Sequence, residues 1–174
     1  MAKMIKTMSK TGIFYATTGG NTARVAKEIA TRLGVGDKDI HDVAHTAPSA
    51  VGDYDVLIFG SPTSVAGDMQ GDMETFVDAV SSLDLRDKMV AIFGLGDVNM
   101  TDSFCNAVGE IYHRLHDSHP MFFAPFDNSD YKYNHSDADV HGMTVGLCLD
   151  DDNYPELTPI RLDAWCEKIK EETV

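Results

Sequence analysis

Thr17, Thr18, Gly19, Gly20, Asn21 and Thr22 have the composition of an anion cradle. Three hydroxyls and a carboxamide supply neutral donors. Two glycines let backbone amides approach a ligand closely and adopt φ > 0. Upstream, Ile13, Phe14 and Tyr15 form a short apolar run suited to a strand buried on both faces. Downstream, Ala26, Ile29, Ala30 and Leu33 fall on one helical stripe. The order is therefore strand, tight loop, helix, with loop amides backed by the positive end of the helix dipole. No lysine or arginine lies in the loop. A phosphate there is held by neutral donors and the dipole. The missing lysine excludes the G-x-x-x-x-G-K-[ST] loop of nucleoside triphosphatases, and the glycine spacing excludes G-x-G-x-x-G. The same residues also suit an ordinary turn capped by Asn21.

Other reactive side chains point less clearly to a site. His113, His116 and His119 are spaced H-x-x-H-x-x-H, but no cysteine or acid completes a ligand set. The run spans a predicted helix terminus, where histidines suit the dipole. No metal site is expected. Asp150, Asp151 and Asp152 lack the spacing of a calcium loop and read as a solvated turn. The three cysteines, Cys105, Cys148 and Cys166, are scattered and odd in number. Cys105 and Cys166 sit on apolar stripes, so free thiols in a reducing compartment fit better than a disulfide scaffold.

The elements that must hold the Thr17–Thr22 loop alternate along the chain. An edge strand is predicted over 39–43, a Pro48 loop over 47–50, and a central strand over 54–60. Residues 61–67 form a second loop at a strand's carboxyl end. Met73, Phe76, Val77 and Val80 give the next helix its buried stripe. A strand over 89–93 leads into a third loop reaching about residue 102. Phe104, Ala107, Val108, Ile111 and Leu115 line the following helix. Residues 121–126 start a further strand, 127–142 are a polar insertion, and 143–149 are a second apolar stretch that completes that strand region. Leu162, Trp165, Cys166 and Ile169 mark the last helix, with Thr158 as N-cap and Pro159 at its first position. Such alternation predicts an α/β fold with a parallel sheet covered by helices on both faces. Ligands of such sheets bind at the carboxyl ends of the strands, where the strand order switches.

The chain has 174 residues, 43% of them hydrophobic, as expected of one folded domain over 1–174. Residues 1–10 are basic but lack the long apolar core of a secretory signal and read as a loose leader. No apolar run approaches the roughly 20 residues that span a bilayer. Net charge is −14, from 28 acidic and 14 basic residues. That repels nucleic acid and anionic membranes and favours a partner with a basic face.

Three loops and their flanks together resemble the flavodoxin family, of the long-chain type. Thr17, Gly20 and Thr22 match its FMN-phosphate loop, [ST]-x-T-G-x-T, although Gly19 stands where threonine is usual. Gly60, Ser61, Pro62 and Thr63 match G-[TS]-P-T. Residues 91–97 match A-x-F-G-x-G-D. The split last strand and residues 151–158 resemble the long-chain branch. The resemblance implies a doubly wound five-stranded sheet of order 2-1-3-4-5 in three α/β/α layers. It implies a low-potential electron carrier with non-covalently bound FMN, not an enzyme. By position it assigns the phosphate to Thr17, Thr18, Gly19, Gly20, Asn21 and Thr22. It assigns the flanks of the flavin ring to Ser61, Pro62, Thr63, Ser64, Val65, Ala66, Gly96, Asp97 and Met100, with Asp97 fixing its loop. It implies a cytoplasmic monomer whose partners are redox proteins with basic docking faces, of the ferredoxin-NADP reductase type or ferredoxin-dependent enzymes.

The two aromatic positions that usually sandwich the ring depart from the pattern. Ser64 occupies the first. The second falls on Met100 when aligned from Phe104, or on Thr101 when aligned from Asp97; Met100 is favoured because its thioether packs on a ring. Stacking contributes on the order of 1 kcal/mol beyond area burial. Losing both partners predicts FMN binding weakened by a factor of about ten or more. Tyr131 and Tyr133 are the candidates to substitute, against the plainer reading of surface tyrosines. The family's switching carbonyl, which bonds flavin N5, corresponds to that of Val65, where valine tolerates strained dihedrals less well than glycine or asparagine. The many acids disfavour an anionic reduced flavin and keep its potential low.

Two alternatives share the fold. An FMN-dependent NAD(P)H:quinone reductase needs a substrate pocket and a nicotinamide site, of which the short loops give no sign. A phospho-receiver domain needs acids after strand one and an Asp after strand three; Ala16, Gly60 and Ser61 stand there instead.

Overall fold

Chain segments with apolar residues at every position can bury both faces of a strand, and two such segments form the middle of the sheet. The computed structural model describes residues 9–100 and 102–173. In chain order these hold β1 (Thr11–Tyr15), α1 (Asn21–Leu33), β2 (Ile40–Asp42), β3 (Val56–Pro62), α2 (Gly71–Val80) and β4 (Met89–Leu95). They continue with α3 (Asn106–Leu115), β5 (Met121–Phe122), β6 (Asp139–Val140), β7 (Met143–Thr144), β8 (Leu147–Leu149) and α4 (Thr158–Thr173). A short 3₁₀ turn over Pro48–Asp53 replaces the predicted plain loop and buries Val51.

The main sheet is parallel, in the order β2-β1-β3-β4-β5. This is the expected doubly wound topology. The residues of β3 and β4 alternate between two cores. Phe14, Leu57, Phe59 and Ile92 pack with Met73, Phe76, Val77 and Ile111 of α2 and α3. Ile13, Ile58 and Phe93 pack with Val25, Ile29, Leu162 and Trp165 of α1 and α4. The predicted helical stripes are the buried ones, because residues three and four apart share a helix face. The middle of the sheet is tight: a Cβ on Gly60 would stand 1.9 Å from Cζ of Phe93, its neighbour in register on β4.

The fifth strand position is shared by two pieces. β5 pairs with the first residues of β4, and β8 pairs with the last, Phe93 to Leu147 through Leu95 to Leu149. The predicted strand over 121–126 is thus cut short. Phe123 still donates to Val90 O, but Ala124 turns away at φ 58 and Pro125 follows. The indole of Trp165 donates to Ala124 O at 2.8 Å and holds that departure. The polar insertion docks on α3, where a Cβ on Gly109 would meet Asp137 O at 2.3 Å, and its β6 pairs antiparallel with β7, so that of the predicted stretch 143–149 only Leu147–Leu149 joins the main sheet.

Arg161 of α4 ties the insertion to the sheet. Its guanidinium is 2% exposed and lies between the rings of Phe126 and Tyr131, 4.8 and 4.0 Å from their centroids. It donates to Cys148 O, Asn128 Oδ1 and Asp130 Oδ1. The helix around it begins one residue earlier than predicted. Thr158 lies inside α4 instead of capping it, and its hydroxyl is buried without a partner among the described residues. The first turn's bond runs from Arg161 N to Leu157 O.

All three cysteines are buried free thiols. Burial pushes the Cys166 thiol up to about 11 from its ordinary 9.0. A thiol whose folded-state value is raised contributes stability that is intact below its unfolded value and lost as pH rises through the folded one. Stability is therefore expected to fall between pH 9 and about 11. Cys166→Ala should make that fall shallower in urea titrations at stepped pH; an unchanged slope contradicts it.

Candidate functional site

The loops after β1, β3 and β4 end side by side because parallel strands point the same way. They line an open cleft of about 1250 Å³. Of the residues predicted for a site, Thr17, Thr18, Gly19, Asn21, Thr22, Pro62, Thr63, Ser64, Val65, Gly96, Asp97 and Met100 line it. Three do not. Ser61 is fully buried beneath the second loop with its hydroxyl on Pro62 O. Ala66 is exposed at that loop's tip. Gly20 faces the shallow groove along α1 instead. Thr101, the alternative to Met100, lies outside the described residues.

The first loop is built to leave donors unspent. Gly20, not Asn21, is the N-cap of α1, at φ 94, and no side chain caps the helix. Only a glycine takes that conformation without strain, and it aims the following amides outward. The first helical bond runs from Arg24 N to Gly20 O, so the amides of Asn21, Thr22 and Ala23 have no intrahelical acceptor. No acid stands in the first turn. Thr17 Oγ1 accepts from Gly20 N at 3.0 Å, which leaves its own hydrogen to donate. Thr22 Oγ1 is buried and has no partner among the described residues. A buried hydroxyl without a partner costs free energy unless a ligand satisfies it. Here it lies in the cleft wall beside free amides and a helix N-terminus. That donor set fits a phosphate.

The second loop is closed by Gly67 N to Ser64 O and by Ser64 N to Asp68 O. Its left-handed residue is Gly67, at φ 89. Val65 has no positive φ and is 84% exposed. Thr63 Oγ1 accepts from Ala107 N at 3.1 Å and joins this loop to the start of α3.

The third loop is held by the turn after β8. Asp97 Oδ1 accepts from Asn99 N and from Asn153 Nδ2. Asp150 is not in a solvated turn as predicted: it is completely buried, and its Oδ2 accepts from Val98 N at 2.9 Å. The reading of three adjacent aspartates as one solvated run fails because β8 continues to Leu149 and leaves the next side chain facing inward. Asp151 and Asp152 do reach the cleft.

No Phe, Tyr or Trp side chain lines the cleft among the described residues. Tyr131 and Tyr133 do not reach it. Tyr131 is buried against Phe104, Tyr154 and Arg161, and Tyr133 lies on Phe104 with its hydroxyl on Asp139. Neither is a free surface tyrosine. Sequence reasoning missed the far wall, formed by Asp68, Gln70, Glu74, Glu110, His113 and Arg114. The signal available was weak, namely polar residues on the α3 face next to the apolar stripe. Six carboxylates line the cleft, from Asp68, Glu74, Asp97, Glu110, Asp151 and Asp152. Burial raises the Glu110 carboxyl against the opposing pull of Arg114, helped by Asp68, Glu74 and Asp137. Arg114 is already bonded to Glu74 and Asp78. His116 and His119 lie outside the cleft, and among the described residues no cluster of His, Cys, Asp or Glu is placed to hold a metal.

The family model described as Flavodoxin matches residues 13–165. A flavodoxin of Haemophilus influenzae is 35% identical over 167 residues, covering 95% of this chain and 96% of that protein. Flavodoxin 1 of Escherichia coli K12 is 34% identical over 169 residues, covering 95% of each. Among solved structures, a Fusobacterium nucleatum flavodoxin bound to flavin mononucleotide superposes with a TM-score of 0.87 at 27% identity, covering 96% of this chain and 100% of that one. Fold, loop geometry and relatives agree: the chain belongs to the flavodoxin family.

Proposed function

We propose that this protein is a low-potential electron carrier that binds FMN non-covalently. The observation that carries the proposal is the buried, unpartnered Thr22 hydroxyl among free amides, in a family whose Fusobacterium member is solved with flavin mononucleotide. Bound FMN supplies the redox chemistry, accepting and passing on electrons singly. The protein's residues bind, orient and tune. Thr17, Thr18, Asn21 and Thr22 hold the phosphate together with the amides of the first turn. Ser64 and Val65 flank one side of the ring, and Asp97 and Met100 the other, with the Met100 thioether in the place of a stacking ring. The carboxylates of the cleft oppose added negative charge and lower the potential of the last electron.

The same acids suit a docking partner with a basic face, such as a reductase of the ferredoxin-NADP type or a ferredoxin-dependent enzyme. Among the described residues no helix is long and apolar enough to cross a membrane. We assign the protein to the cytoplasm, as a monomeric single domain and not an enzyme in its own right.

The test is a titration of the purified protein with FMN. Stoichiometric quenching of flavin fluorescence is expected, with electron transfer to a basic partner that slows as salt screens the charges. No quenching at excess FMN, or steady NAD(P)H oxidation by the pure protein, overturns the proposal.

A further inference from the structure

We infer that Asp150 and Asn153 are positioning residues for the third loop, setting its backbone and through it the affinity and potential of the flavin. The inference rests on the FMN reading above. Three successive loop residues are each tied to this turn. Val98 N donates to Asp150 Oδ2 at 2.9 Å. Asn153 Nδ2 donates to Asp97 Oδ1 at 2.9 Å and to Asp150 Oδ2 at 2.8 Å. Asn99 Nδ2 donates to Asn153 Oδ1 at 3.2 Å. The turn closes on itself through Asn153 N to Asp150 Oδ1 at 2.9 Å. By contrast, among the described residues the loop's own bonds before Ser103 are Met100 N to Asp97 O and Asn99 N to Asp97 Oδ1.

The clamp is rigid because its base is buried. Asp150 has no exposed surface, and its amide donates to Tyr131 Oη at 3.2 Å. Tyr131 lies against the Arg161 guanidinium. Bonds to a carboxylate are stronger than neutral ones, and more so where water is excluded. Val98 is also buried in the core and Gly96 N donates to Leu149 O, but the backbone from Asp97 to Asn99 has its direction fixed by this clamp. The carboxylate also fixes a negative charge directly behind the residues that flank the ring. Asp150 and Asn153 line no part of the cleft, so their influence passes through the loop.

The test uses the full chain with FMN, riboflavin and two variants. Asn153→Ala alters an exposed side chain and leaves the core intact. It is expected to weaken FMN binding about fivefold, and Asp150→Asn about tenfold, the equivalent of roughly 1.4 kcal/mol. Riboflavin affinity should fall in the same proportion, since the phosphate cradle is untouched. The midpoint for the last electron should move positive in Asp150→Asn, which removes a charge. In the flavin-free protein, exchange of the Val98 amide should accelerate in both variants. Unchanged affinity, midpoint and Val98 exchange overturn the inference. If Asp150→Asn fails to fold, Asn153→Ala decides alone. If the wild-type chain binds no flavin, the FMN reading fails, and Val98 exchange still decides whether this turn holds the loop.

Discussion

Replacing Thr17 and Thr22 together by alanine is expected to weaken FMN binding by about 100-fold while the protein stays folded. Each hydroxyl is placed to donate to a charged phosphate, and a hydrogen bond to a charged group contributes about 1.5–3 kcal/mol. The two changes act differently on the unliganded protein. Thr22 Oγ1 has no partner there, so removing it breaks nothing. Thr17 Oγ1 accepts from Gly20 N, so its loss costs about 1 kcal/mol of loop order. Riboflavin has no phosphate and should bind the double variant almost as well as the parent. Thr158 makes a sharp control, because its hydroxyl is equally buried and unpartnered but lies outside the cleft. Thr158→Val should leave FMN affinity unchanged. Fluorescence titrations of both flavins check all of this. Equal FMN binding by parent and double variant would place the phosphate elsewhere.

Arg161→Ala should destabilise the fold by about 3 kcal/mol, chiefly by stranding buried acceptors. Cys148 O receives two bonds from the guanidinium, and Asn128 receives another. The stack between Phe126 and Tyr131 opens at the same time. The ion pair with Asp130 adds little, because that carboxylate is 46% exposed. Arg161→Met restores volume but not the bonds and should recover less than half of the loss. For a chain of this size the drop in Tm is about 6–12 °C. Urea unfolding measures the effect, and a loss below about 1 kcal/mol would show that the insertion is anchored by packing alone.

Both predictions concern residues that differ in how openly the sequence displays them. Thr17 and Thr22 announce themselves, because a phosphate loop is a local object. Its strand, glycines and helix stripe lie within about two dozen residues and follow fixed periods. The same holds for β3, β4 and the stripes of α1 to α4, and so for the parallel sheet that their alternation implies, whereas the strand order came from the family resemblance. Arg161 and Asp150 give no such sign. A lone arginine beside a helix stripe reads as surface, and an aspartate among three reads as solvated. The split of the fifth strand was visible as two apolar stretches, but where each pairs with β4 was not.

The amino-acid order by itself determined the alternating parallel architecture, the phosphate cradle and the absence of stacking aromatics at their usual positions. Each depends on residue type and short spacing, which local backbone geometry converts directly into shape. Tertiary structure alone decided that Asp150 reaches Val98, 52 positions away, that Arg161 fastens the insertion, and that Tyr131 supports the third loop instead of entering the cleft. Burial and partnership across the chain depend on which elements close over one another, and a charged side chain becomes structural only once that closure has removed its water.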